Sequence, residues 1–121
     1  MQALIAAINR RHRDLLGSAL HVIEVNEGIA LPYTVLTIVS EMAGYTFSSM
    51  SERTVVQFDV YAQGKVQVFT MAEALRDAFD DCVLDVPGYA FGKFEREFSQ
   101  PLKDGDAWRV IIQYVAQLQK L

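Results

Sequence analysis

Four groups of residues in this chain have types that could do chemistry, and each is defeated by its spacing. "GYAFGKF" at 88–94 has the glycines and lysine of a phosphate-cradling loop, yet one residue too few separates Gly88 from Gly92. Phe94 also stands where such a loop needs Ser or Thr to hold magnesium. Asp77, Asp80, Asp81 and Asp85 suggest calcium, but the ligand spacing and central glycine of a calcium loop are missing. Their expected role is a solvated helix end. His12, His21 and Cys82 lie far apart in sequence, in no nucleophile or zinc pattern. His12 falls on an apolar helical stripe, where a packed histidine with one hydrogen-bond partner is the economical reading. Cys82 sits on another such stripe as a small hydrophobe. Arg10, Arg11 and Arg13 form a basic group without interleaved aromatics, the pattern of a solvated face. The expectation is therefore no catalytic residue, no metal, no cofactor and no enzyme.

The elements that must position these residues can be read from periodicity. Leu4, Ile5, Ile8, His12, Leu15 and Leu16 make one helical stripe, and Gly17 stops it. His21 to Val25 can form a short strand, and Pro32 opens a second, "YTVLTIVSE", rich in β-branched residues. "MAGYTFSSMSE" at 42–52 has no sustained period and predicts a long connection. Thr54, Val56, Phe58, Val60 and Ala62 alternate as the core row of a third strand. Met71, Ala72, Leu75, Ala78, Phe79 and Cys82 then repeat at helical spacing, with Thr70 and Glu73 spaced as a capping box and a start as early as Val66 allowed. Pro87-Gly88 marks a turn, after which Phe94, Arg96 and Phe98 alternate as one row. "PLKDGD" turns the chain into a last strand with core row Trp108, Val110, Ile112, Tyr114, Ala116 and Leu118. The order α-β-β-β-α-β-β predicts an α+β fold, an antiparallel sheet with two helices packed on one face, in one domain spanning 1–121.

Composition narrows the classes. A chain of 121 residues with 51% hydrophobic content can build one core without disulfides, and its single cysteine fits a reducing compartment. Met1 to Ile8 is short and its basic group follows rather than precedes it, the reverse of a secretory signal. No apolar run approaches the length of about 18 residues that a membrane span needs. A formal net charge of −4 argues against direct binding to nucleic acid or anionic lipid.

The outer rows of the two longest strands remain. Val55, Gln57, Asp59 and Tyr61 on one strand, and Arg109, Ile111, Gln113, Val115, Gln117 and Gln119 on the other, are neither oily nor freely charged. A mixed surface with few lysines suits a protein contact. The expected subunit interface is Gln57, Asp59, Tyr61, Arg109, Ile111, Gln113 and Val115, and the expected contact anchors of the long connection are Tyr45 and Phe47.

An N-terminal helix with a basic end, "LPYTVLTIV", a long loop, "VVQFDVYAQ", the helix "TMAEALRDAFDD" and a closing "AWRVIIQYVAQ" together resemble the tail-completion or tail-terminator proteins of long-tailed bacteriophages, including the lambda-type minor tail protein U group. The likeness runs from about Met1 to Gln119, with Pro32-Tyr33 and Gln57-Phe58-Asp59-Val60-Tyr61 its most telling pieces. It implies a homo-oligomeric, hexameric ring that caps the tail tube, with the tube protein and the head-tail connector or neck protein as partners. It also implies assembly in the host cytoplasm and a final place in the virion tail. The alternative class is a bacterial small-molecule-binding or accessory α+β domain, marked by a deep apolar pocket.

Overall fold

The computed structural model describes residues 2–18, 20–23, 28–45 and 50–121, with backbone alone at 42–45, 50–51, 91–92, 104 and 120. Helix α1, Gln2–Leu16, buries Leu4, Ala7, Ile8 and His12 at spacings of three and four, and ends as its stripe predicts. Gly17 takes a φ of 80°, open to glycine at little cost, and its N–H caps the Arg13 carbonyl at 3.0 Å. Helix α2, Lys65–Phe79, buries Val68, Ala72, Leu75, Ala78 and Phe79. Arg11 Nε donates to the Ala78 carbonyl at 2.6 Å, so α1 satisfies one of the carbonyls that α2 leaves open at its end.

The strands are β1 (His21–Val22), β2 (Tyr33–Tyr45), β3 (Met50–Ala62), β4 (Tyr89–Asp104) and β5 (Ala107–Lys120). They form one sheet in the order β1-β2-β3-β5-β4, antiparallel throughout except where β1 runs parallel to β2. The fold is α+β, with both helices on one face of the sheet. One continuous core joins Leu4 and Ile8 of α1, Val68, Leu75 and Phe79 of α2, Val56, Phe58 and Val60 of β3, Phe94 of β4, and Ile112, Tyr114 and Ala116 of β5. At its centre the Phe58 and Phe79 rings lie 4.9 Å apart and those of Phe94 and Tyr114 4.8 Å apart, with Phe79 edge-on to Phe94 at 5.9 Å. Such aromatic pairs add stabilisation beyond the area they bury.

Several local expectations are corrected. Thr70 does not cap α2: the helix starts a turn earlier, after Gly64, and the Thr70 hydroxyl instead donates back to the Val66 carbonyl at 2.9 Å. The stretch expected to be a long connection is mostly the arms of a β-hairpin, pairing Met42 with Arg53 and Tyr45 with Met50. Of the first strand, expected over His21 to Val25, the structure shows His21 and Val22; Glu24 and Val25 lie outside the described residues. β4 runs on through Pro101, which an edge strand tolerates because its second edge has no ladder to complete. Two register shifts interrupt β4, between Phe91 and Phe94 and between Arg96 and Phe98. The second turns Phe98 to the opposite face from Phe94, so the expected row of Phe94, Arg96 and Phe98 is split. Trp108 packs against the core but is only half-buried, with the Lys65 and Lys103 ammonium groups 5.6 and 5.7 Å from its ring.

Candidate functional site

The helix-free face is built by register. Because side chains alternate, Tyr33, Val35 and Thr37 of β2 share a face with Tyr61, Asp59 and Gln57 of β3 and with Arg109, Ile111 and Gln113 of β5. β4 adds Leu102 beside Arg109, Gln100 beside Ile111, Phe98 beside Gln113 and Glu95 beside Val115. All seven residues expected at a subunit interface therefore lie on this one face, in adjacent rows.

Their burial differs. Asp59 is only 6% exposed and Val55, Val35 and Val115 are also buried, although no helix covers them. Gln57, Tyr61, Arg109, Ile111 and Gln113 are half-buried. Neighbouring side chains thus shield the centre of the face, and what remains for a partner is mostly Tyr61, Ile111 and the residues around them.

A polar chain crosses one end. Arg109 donates to Asp59 Oδ1 from Nε at 3.2 Å and from Nη2 at 3.0 Å. Gln57 Nε2 donates to both Asp59 oxygens, at 3.1 and 3.2 Å. The Arg109 guanidinium lies 5.5 Å from the centre of the Tyr61 ring, which is 5.2 Å from that of Tyr33, itself edge-on to His21 at 5.7 Å. A carboxylate so enclosed is tolerable because a cation and hydrogen-bond donors compensate it. With its oxygens engaged by Arg109 and Gln57, Asp59 orients the guanidinium, an arrangement for shaping a surface.

The other chemical candidates have local partners. His12, 4% exposed, donates from Nδ1 to the Ser18 carbonyl at 2.5 Å; burial lowers its pKa, against the opposing effect of that bond. Asp80 Oδ1 accepts from the Tyr114 hydroxyl at 2.6 Å and its Oδ2 lies 3.4 Å from Arg96, while Asp81 pairs with Lys93 at 3.3 Å. Cys82 is buried, and burial pushes its thiol up. Among the described residues no group of three or more His, Cys, Asp or Glu is placed to hold a metal ion. None of the described helices is long and apolar enough to cross a membrane.

Tyr45 ends β2, and Phe47 lies outside the described residues. Two residues of the face escape a sequence reading. Tyr33 could be found by extending the alternation of β2 backwards; Phe98, 42% exposed, could not, because a bulge leaves no mark on composition.

With this geometry the chain can be compared with known proteins. No protein-family model and no curated protein matches it. Among solved structures, it is similar to a chain described as part of the virion of a native gene transfer agent particle. That match has a TM-score of 0.75 and 16% identity over 98% of this chain and 96% of that one. A second solved chain matches with a TM-score of 0.67 and 20% identity over 99% of this chain and 96% of the other. At these identities the likeness is one of fold, over nearly the whole of each chain.

Proposed function

We propose that this chain is a structural protein of a phage-like virion, and within it a tail terminator: a non-enzymatic subunit that closes into a ring on the end of the tail tube, ends its growth and offers a docking surface to the neck. One observation carries the reading, the fold likeness to a chain of the gene transfer agent virion over nearly the whole of both chains. The resemblance of element order and of the Gln57–Tyr61 segment to tail terminators supplies the finer role.

In such a ring each subunit uses two different patches, a heterologous contact that closes by rotation. The helix-free face is one of them, with Gln57, Asp59, Tyr61, Arg109, Ile111, Gln113 and Val115 as its residues. Asp59 and Val115 act there by holding their neighbours in place, being buried already within the single chain. Tyr45, the last residue of β2, and Phe47 are the proposed contacts to tube or neck. The net charge of −4 suits a lumen through which DNA must pass without sticking. Assembly takes place in the host cytoplasm, before the ring joins the virion tail.

The test is native mass spectrometry with negative-stain imaging of the purified protein over a range of concentrations. Annular particles of hexamer mass are expected. Monomers alone at every concentration, with or without purified tail tubes, would overturn the ring.

A further inference from the structure

A cavity of about 380 Å³ lies among α1, α2 and the β1–β2 edge of the sheet, lined by His12, Leu16 and Ser18, by Met71, Ala74 and Leu75, and by His21, Pro32, Tyr33 and Thr34. We propose that this cavity is a binding site for a small neutral aromatic molecule carrying a single N–H or O–H donor.

The lining argues for each part of that description. The volume falls within the range of small-molecule sites, and four elements, α1, α2, β1 and β2, line it. Leu16, Met71, Ala74 and Leu75 form an apolar wall, in which the Met71 thioether is suited to lie against a ring. Two polar side chains on the lining, His12 at 4% and Thr34 at 6% exposure, are almost wholly removed from solvent. His12 donates from Nδ1 to the Ser18 carbonyl, which leaves the lone pair on Nε2 as an acceptor. Desolvation keeps the ring neutral and that acceptor intact. Among the described lining residues there is no Asp, Glu, Lys or Arg. A charged ligand would lose its hydration without gaining a counter-charge.

This site does not rest on the ring reading: of the residues on the helix-free face only Tyr33 lines it, and none of the seven proposed interface residues does. The test is a titration of the ¹⁵N-labelled full chain, followed by amide chemical shifts. Indole is the probe, with naphthalene as a ring lacking the donor and indole-3-acetate as a charged analogue. Indole is expected to shift the amides of Thr34, Ala74 and Leu75, and the other two to bind about tenfold more weakly, the worth of one buried hydrogen bond or one uncompensated charge. Ala74→Phe should fill the cavity and abolish the shifts, and Ala74→Leu serves if the larger side chain prevents folding. The site is overturned by an absence of shifts up to the solubility of indole, by equal binding of all three probes, or by undiminished binding to the filled variant. Tighter binding of N-acetyltryptophanamide than of indole would overturn the small-molecule source, making the occupant a side chain of a partner protein.

Discussion

The Tyr114 hydroxyl donates to Asp80 Oδ1 at 2.6 Å, joining the middle of β5 to the C-cap of α2. Tyr114 is fully buried, so this bond is the polar tip of an otherwise apolar ring. Burial, and then the Asp80 carboxylate accepting its proton, raises its pKa above the ordinary 10.0. A raised folded pKa gives stability that is full below the unfolded value and lost as pH rises beyond it. The Cys82 thiol, raised from 9.0 chiefly by burial, acts with the same sign from a lower pH. In a Cys82→Ala background, urea melts should therefore show stability falling above pH about 10, and Tyr114→Phe should flatten that fall. At neutral pH the same substitution should cost about 1–2 kcal/mol, since Asp80 keeps Arg96 and access to water. An unchanged alkaline slope in Tyr114→Phe would refute the assignment.

Phe79 closes the core from the helix side, between Phe58, Phe94 and Tyr114. Phe79→Ala should cost about 3–5 kcal/mol in denaturant melts, because four strands and two helices cannot all collapse onto the space it leaves. A loss under about 1 kcal/mol would mean that the ring cluster repacks freely.

The fold was legible wherever side-chain period and backbone state agree. Leu4, Ile8 and His12 mark α1 and Gly17 its end, and every second residue from Thr54 to Ala62 and from Val110 to Leu118 marks a strand with one buried row. What escaped depends on pairing across the sheet. Gly44 and Ser51 have poor strand propensity, yet they face each other in the β2–β3 ladder because the stronger residues behind them set the register. Thr70 and Glu73 have the letters of a capping box, but Val66, Gln67 and Val68 before them continue the helix, and a cap cannot form inside one. For the candidate face, alternation alone placed Gln57, Asp59, Tyr61, Arg109, Ile111, Gln113 and Val115 together. It could not reveal that Arg109 and Gln57 both converge on Asp59, a geometry of side chains on different strands.

The exposed part of that face should carry the oligomer. Ile111 lies opposite Asp59, so Ile111→Lys adds a charge to the surface whose cross-strand neighbour is of opposite sign. Combined with Phe98→Ser, it should shift the protein toward monomer in analytical ultracentrifugation, with a melting temperature little changed because the core row is untouched. An unaltered sedimentation profile would remove this face from the ring.

Thr54 on β3 is fully buried on the core side, and its Oγ1 has no hydrogen-bond partner among the described residues. A hydroxyl in that position carries its desolvation cost with nothing to offset it. Thr54→Val keeps the shape and the β-branching while removing the orphan oxygen, and should stabilise the fold by about 1 kcal/mol. A destabilised variant would show that the hydroxyl has a partner in solution, such as an ordered water.

Asp59 and Arg109 allow the sharpest separation of structure from surface chemistry. The Asp59 side chain is 8% exposed and that of Arg109 27%, so Arg109 shields the carboxylate while keeping its own edge in water. Removing one partner of a buried pair leaves the other charge uncompensated, and Arg109→Leu should cost about 3 kcal/mol. Gln57 still donates to both Asp59 oxygens, which holds the loss near the lower end of the range for such pairs. Asp59→Asn added to Arg109→Leu removes the stranded charge and should recover much of the stability, a coupling that a double-mutant cycle measures directly. If the pair only shapes the subunit, the double variant also restores assembly. Recovered stability without recovered oligomer would instead mean that the Arg109 guanidinium, stacked on Tyr61, itself contacts the neighbouring subunit.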